Sequence, residues 1–80
     1  MSNAKTTLRD HVKQNLENYF ANLDGHTISN LYAMVLQEIE IPLIQKALEH
    51  TENNQSRAAE ILGISRGTLR KKIESLREFL

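Results

Sequence analysis

Eighty residues, 40% hydrophobic and 25% charged with a formal charge of zero, fit one small globular domain and leave too little chain for a large enzyme. No cysteine is present, which excludes disulfide staples, thiolate metal ligands and thiol nucleophiles. A chain this short buries a small share of its surface, so oligomerisation is the remaining route to a sufficient core.

Met1-Ser2-Asn3-Ala4 reads as much like a cloning remnant as native sequence, and residues 1–6 are expected to be disordered or such a remnant. Leu8, Val12, Leu16, Tyr19, Phe20 and Leu23 then recur at intervals of three and four, the stripe of an amphipathic helix. Thr7 with Asp10 makes a capping-box variant at its start, and Asp24-Gly25 is expected to end it. After Gly25-His26-Thr27, Ser29 or Asn30 is positioned to cap a second helix of about 20 residues. Its main stripe runs Leu31, Val35, Ile39, Leu43, Ala47 and Leu48, while Met34, Leu36, Ile41 and Ile44 fall off that line. Such a helix is apolar on more than one side and needs several partners. Pro42 lies mid-run and predicts a kink rather than a stop, because the pattern continues beyond it.

Glu52-Asn53-Asn54 breaks the periodicity, and Asn54 can cap a short helix from Gln55 to Leu62 that Gly63 ends. Ser65 caps a last helix through Leu69, Ile73 and Leu76, expected to finish near Phe79. The fold class is therefore all-α: four helices in a single domain over 1–80, with 7–50 as dimerisation helices and 54–79 as a helix-turn-helix. The physical demands of that motif are met in order. Small Ala58 and Ala59 allow close approach, Gly63 makes the turn, and Ile64 and Leu69 plug the angle.

Charge is distributed unevenly along the chain. Met1 to Glu52 holds four bases and seven acids, whereas residues 53–73 hold Arg57, Arg66, Arg70, Lys71 and Lys72 against Glu60 alone. The second helix of the motif opens with Arg66, Gly67, Thr68, Arg70 and Lys71, and the side chains of all but Gly67 are able to reach base edges and phosphates from a helix lying in the major groove. Double-stranded DNA is the expected partner. Leu16, Tyr19, Leu31, Val35, Ile39 and Leu43 offer more apolar surface than an 80-residue monomer can cover, which predicts a homodimer.

Asn54-Gln55-Ser56-Arg57-Ala58-Ala59 followed by Leu62-Gly63-Ile64-Ser65-Arg66-Gly67-Thr68-Leu69-Arg70-Lys71-Lys72 resembles the C-terminal signature of the Fis (factor for inversion stimulation) family of bacterial nucleoid proteins. Upstream, Leu8 to Gln14, Asn18-Tyr19-Phe20-Ala21, Leu31-Tyr32 and Val35-Leu36 also resemble that family, so the likeness runs over roughly residues 8–73. The resemblance implies a homodimer whose first two helices intertwine as a four-helix core and present two helix-turn-helix units on one side. It further implies recognition helices closer together than one turn of straight DNA, so that the duplex bends and is selected largely by deformability. By position, Arg66 resembles the family's base-reading arginine. Asn54, Ser56, Thr68, Arg70 and Lys71 fall on phosphate- or groove-contacting positions, with Ser65 beside them.

Two departures qualify the resemblance. The family carries an N-terminal β-hairpin arm that activates site-specific recombinases, and about seven residues precede the first helix here, so the expectation is that the arm is missing or was cut away and that this sequence does not activate recombinases. Glu52 and Glu74 stand where the family tends to place bases, which predicts weaker contacts to flanking DNA.

Other chemistry finds no support in the sequence. His11, His26 and His50 lack metal-ligand spacing and read as surface histidines. Glu38 and Glu40, two apart on a helix, point different ways. Ser29, Ser56, Ser65 and Ser75 show no nucleophile elbow, and there is no glycine-rich phosphate loop. Tyr19, Phe20 and Tyr32 read as core or dimer-interface residues rather than base-stacking platforms. No enzyme activity, cofactor or metal is expected. With no apolar run near about 18 residues and no signal-peptide stretch, the expectation is no membrane partner and a cytoplasmic, nucleoid location. Two alternatives remain: the DNA-binding end of a nitrogen-regulator-type activator, whose C-terminal signature is shared, and a helical dimerisation module without DNA binding. Burial of Arg66, Thr68, Arg70 and Lys71, or their pairing with acids across an interface, would favour the module reading.

Overall fold

The computed structural model describes residues 7–80, so the expectation placed on residues 1–6 lies outside it. Four helices follow in order: α1 (Leu8–Ala21), α2 (Leu31–His50), α3 (Gln55–Leu62) and α4 (Arg66–Ser75), with a 3-10 turn over Arg77–Phe79. Among the described residues there is no strand, and no helix is long and apolar enough to cross a membrane.

Local chemistry sets most of the boundaries. Thr7 Oγ1 accepts from the Asp10 amide at 3.1 Å while Asp10 Oδ2 accepts from the Thr7 amide at 3.2 Å, the reciprocal capping box read in the sequence. The end of α1 comes short of Asp24-Gly25. The Asn22 side-chain amide donates to the Asn18 carbonyl at 2.7 Å and closes the helix there, leaving Asp24 and Gly25 to carry the turn at φ 53° and 80°. Asn30 stands at the N-cap of α2 without capping it. Its backbone is left-handed (φ 58°) rather than extended, so its side chain makes no capping hydrogen bond, and Ser29 supplies none in its place. The helix continues past Pro42 to His50.

Glu52 and Asn53 both adopt left-handed backbone after α2, at φ 53° and 66°, and the Asn53 amide donates back to the Leu48 carbonyl at 2.8 Å. Asn54 Oδ1 then accepts from the Arg57 amide at 3.1 Å and starts α3. Gly63 ends α3 at φ 75°, a conformation that carries no Cβ penalty only for glycine. Ser65 Oγ accepts from the Thr68 amide at 3.0 Å and opens α4. The last α-helix stops at Ser75, short of Phe79, because the chain tightens there into the 3-10 turn; Gln45 Nε2 of α2 donates to the Phe79 carbonyl at 3.2 Å and holds it.

The core is confined to one half of the molecule. Ile44 and Ala47 of α2, Ala58 and Ala59 of α3, Leu69 of α4 and Leu76 are buried together, with Ile41, Leu48, Leu62, Ile64 and Ile73 packed against them. α3 and α4 pack on one another and α3 packs on α2. α1 buries no residue at all. The consequence is an open chain: its radius of gyration is 15.6 Å, against about 12 Å for a compact domain of this length.

The two apolar sides of α2 face in different directions. At about 100° per residue, Leu31, Val35, Ile39 and Leu43 lie roughly opposite Ile44, Ala47 and Leu48. The first set faces α1 and the second faces the helix-turn-helix. Ala47 and Leu48 therefore leave the single long stripe expected from periodicity and join the core. Tyr32, expected in the core or the dimer interface, is 82% exposed and takes no part in this core.

Candidate nucleic-acid interface

Leu69 is completely buried and fixes which way α4 faces. Counting around the helix from Leu69, Gly67 and Lys71 fall on the far side, Thr68 and Arg70 fall on the two flanks, and Arg66 lies about 60° from Leu69 at the helix's opening turn. Arg66, Thr68, Arg70 and Lys71 are all exposed. The ion pairs among the described residues are Lys46–Glu49, Lys72–Glu40 and Arg77–Glu74, so none of the three cations Arg66, Arg70 and Lys71 is spent on a carboxylate.

The two capping residues at the edge of this surface already serve the backbone. Ser65 Oγ receives the Thr68 amide and donates to Thr68 Oγ1 at 2.8 Å, which locks the first turn of α4 around Arg66. Asn54 caps α3, and Ser56 is exposed in the first turn of that helix. Both segments sit at helix N-termini, where the backbone dipole and unpaired amides favour an anion such as a phosphate. Chemically the arrangement offers a guanidinium fork at the opening of a protruding helix, further cations behind it, and polar groups at its base. That is the donor set for reading a base edge and gripping the backbone on either side.

Sequence reasoning missed one functional distinction within the basic stretch. Lys72 turns away from the outer face and meets Glu40 of α2 at 2.8 Å. Periodicity carries a signal for this, since Lys72 lies three residues from Leu69 and close to the buried side, but its partner is 32 positions away and invisible to local reading. Arg77 pairs with Glu74 in an exposed contact three residues apart, and Glu52 and Glu74 are both exposed.

The expected dimer residues form one surface. Leu16, Tyr19, Leu31, Val35, Ile39 and Leu43 all line a groove of about 720 Å³ between α1 and α2, together with Leu8 and Val12. Phe20 is not part of that lining; it is 48% exposed and meets Tyr19 edge-on, ring centroids 6.0 Å apart. Glu38 lines the groove whereas Glu40 faces α4, so the two carboxylates do point apart. Among the described residues no three His, Cys, Asp or Glu side chains come together as a metal site.

Comparison with known proteins places this geometry. Residues 35–76, spanning most of α2 and the whole helix-turn-helix, match the family described as "Bacterial regulatory protein, Fis family". Residues 2–28 match "DNA-binding protein Fis N-terminal domain". The chain belongs to the Fis family. It is 54% identical over 67 residues to the DNA-binding protein Fis of Proteus vulgaris, covering 84% of this chain and 72% of that one. It is 55% identical over the same length to the protein of that name from Yersinia enterocolitica, and 54% identical to that from Sodalis glossinidius, covering 68% of each. The family identification and the all-α fold with a helix-turn-helix therefore agree with the sequence reading.

Proposed function

We propose that this chain is a homodimeric, DNA-binding and DNA-bending regulator associated with the bacterial nucleoid. The observation that carries the proposal is the outer face of α4, where Arg66, Thr68, Arg70 and Lys71 are exposed and uncommitted to acids among the described residues. Arg66, Arg70 and Lys71 are available to DNA without first breaking an ion pair, and Thr68, whose Oγ1 accepts from Ser65 Oγ, keeps its own hydroxyl hydrogen to donate. In this reading Arg66 reads a base edge, Asn54, Ser56, Thr68, Arg70 and Lys71 hold phosphates or groove walls, and Ser65 orients the turn between them. The dimerisation-only alternative draws no support from the described chain, in which these side chains are exposed and the three cations pair with no acid. The activator-end alternative is disfavoured by the match of residues 2–28 to the Fis N-terminal domain.

Dimerisation is supported by the groove between α1 and α2, whose apolar walls no other part of the described chain covers. A second copy of the same surface closes it by two-fold symmetry. The two α4 helices are then held at a separation fixed by α2. Where that separation is shorter than the roughly 34 Å between successive major-groove faces, the duplex must curve toward the protein. Smooth bending of a short site costs about 1–6 kcal/mol, less where the central minor groove narrows easily.

Binding to A·T-centred and G·C-centred duplexes, measured across salt concentrations with circular-permutation gel shifts, tests this reading. Salt-sensitive binding, a bent complex and preference for the A·T centre are expected. Straight DNA or equal affinity for the two centres would remove the bending, and absence of binding at low salt would remove the function altogether.

A further inference from the structure

α4 reaches the rest of the molecule through an apolar seam and one ion pair. Leu69 and Leu76 lie on a single face of the α4 region and bury against Ile44 and Ala47 of α2 and the alanines of α3. With Ile73 packed beside them, these apolar anchors span only about 60° of the helix, which fixes where it lies but resists rotation about its own axis poorly. Lys72 sits about 60° around the helix from Leu69, beside the seam rather than on it. Its ammonium meets Glu40 Oε2 at 2.8 Å, with the side chains 36% and 23% exposed. The other two ion pairs differ in kind: Lys46–Glu49 and Arg77–Glu74 are exposed contacts three residues apart within one stretch of chain.

Glu40 also occupies a particular place on α2. It lies one turn before buried Ile44 on the side facing α4, and the neighbouring Ile39 lines the groove toward α1. The pair therefore links the recognition helix to the part of α2 that would be held in a dimer. We propose that Glu40 and Lys72 are positioning residues that set the rotation of α4 on α2, and through it the spacing of DNA contacts the protein accepts. Arg66 lies six residues from Lys72, about 9 Å along the axis, so a change in roll or tilt at the pair is carried to the base-reading end. The inference rests on the dimeric DNA-binding reading above. It assigns Lys72 a role different from that of its neighbour Lys71: orientation rather than phosphate contact.

The test uses the whole chain and a set of A·T-centred duplexes whose two outer contact regions are moved one base pair closer or further apart. The native protein should favour one spacing. Glu40→Gln and Lys72→Gln should each flatten that preference about threefold or more, to the same degree. The double variant should be no worse than either alone, and all should keep the native salt slope. The exchange Glu40→Lys with Lys72→Glu should restore the preference, and Lys72→Arg should retain it; circular dichroism checks that each variant is folded. A salt slope reduced by about one in Lys72→Gln, with Glu40→Gln behaving as native, would make Lys72 a phosphate contact and overturn the proposal. Unchanged spacing preference in both single variants would overturn it as well. Failure of the native chain to bind any duplex would instead strike the DNA-binding reading on which it rests.

Discussion

Leu43→Glu separates a self-sufficient chain from one that must pair. In the isolated chain Leu43 is 52% exposed on the groove wall, outside the buried cluster. Were the monomer the working state, the substitution would be a surface change costing about 0.5 kcal/mol, since leucine and glutamate have similar helix propensities. In a two-fold dimer the same carboxylate is buried without a partner, twice. At about 3–5 kcal/mol per unpaired buried charge, the pair costs roughly 6–10 kcal/mol, comparable to the whole stability expected of a dimer of this size.

Thermal unfolding at about 1 and 100 μM, alongside sedimentation equilibrium, reads the difference. For an obligate dimer a hundredfold rise in concentration adds about 2.7 kcal/mol. Divided by the unfolding entropy of two 80-residue chains, about 0.34 kcal/mol/K, this raises the native Tm by about 8 °C. Leu43→Glu should sediment as monomer and unfold at much lower temperature. A native Tm independent of concentration, together with a variant within about 0.5 kcal/mol of native, would refute the reasoning.

Arg66→Ala should lose sequence preference worth about 1–3 kcal/mol as well as affinity, whereas Lys71→Ala should weaken specific and random duplexes alike and lower the salt slope by about one; equal loss of discrimination in both would reverse the assignment. Ser65→Ala removes the acceptor for the Thr68 amide and should cost about 1 kcal/mol of stability in denaturant unfolding. Leu69→Ala empties a fully buried site on α4 and should cost about 2–5 kcal/mol, read in the same way; a cost below about 1 kcal/mol would mean that this seam does not hold the motif together.

The parts of the fold legible in the sequence are those governed by neighbours a few residues apart. The capping box at Thr7, the caps at Asn54 and Ser65, the left-handed Gly63 and the bounds of α3 all follow from local side chain and backbone chemistry. Asn30 shows where that logic stops: the residue type suits a cap, but the backbone conformation reached on leaving the preceding turn withdraws its side chain from the amides. The two-sided character of α2 was visible as residues off the main stripe, yet periodicity could not divide Ala47 and Leu48 from Leu43. That division depends on what each end of the helix packs against. Lys72 is the plainest case at the site. Five bases in one stretch look alike as charge, and only the approach of Glu40 from α2 separates the one that orients from those that face outward.

The economy of this small chain follows from that division of α2. Only Ile44, Leu69 and Leu76 among the buried residues are large, and alanines supply the rest, so the helix-turn-helix depends on α2 as its third wall. The opposite side of α2 lines a groove that the described chain does not itself close. Covering that groove with a second copy would stabilise α2 along its length and so stabilise the wall on which α3 and α4 rest. Association and the pose of the recognition surface would then be linked equilibria: whatever holds the two α4 helices in place on DNA also favours the paired chains, and pairing repays the same coupling to DNA binding. A monomer would hold Arg66 on its own core but would lack the second surface needed to sense how readily a duplex bends.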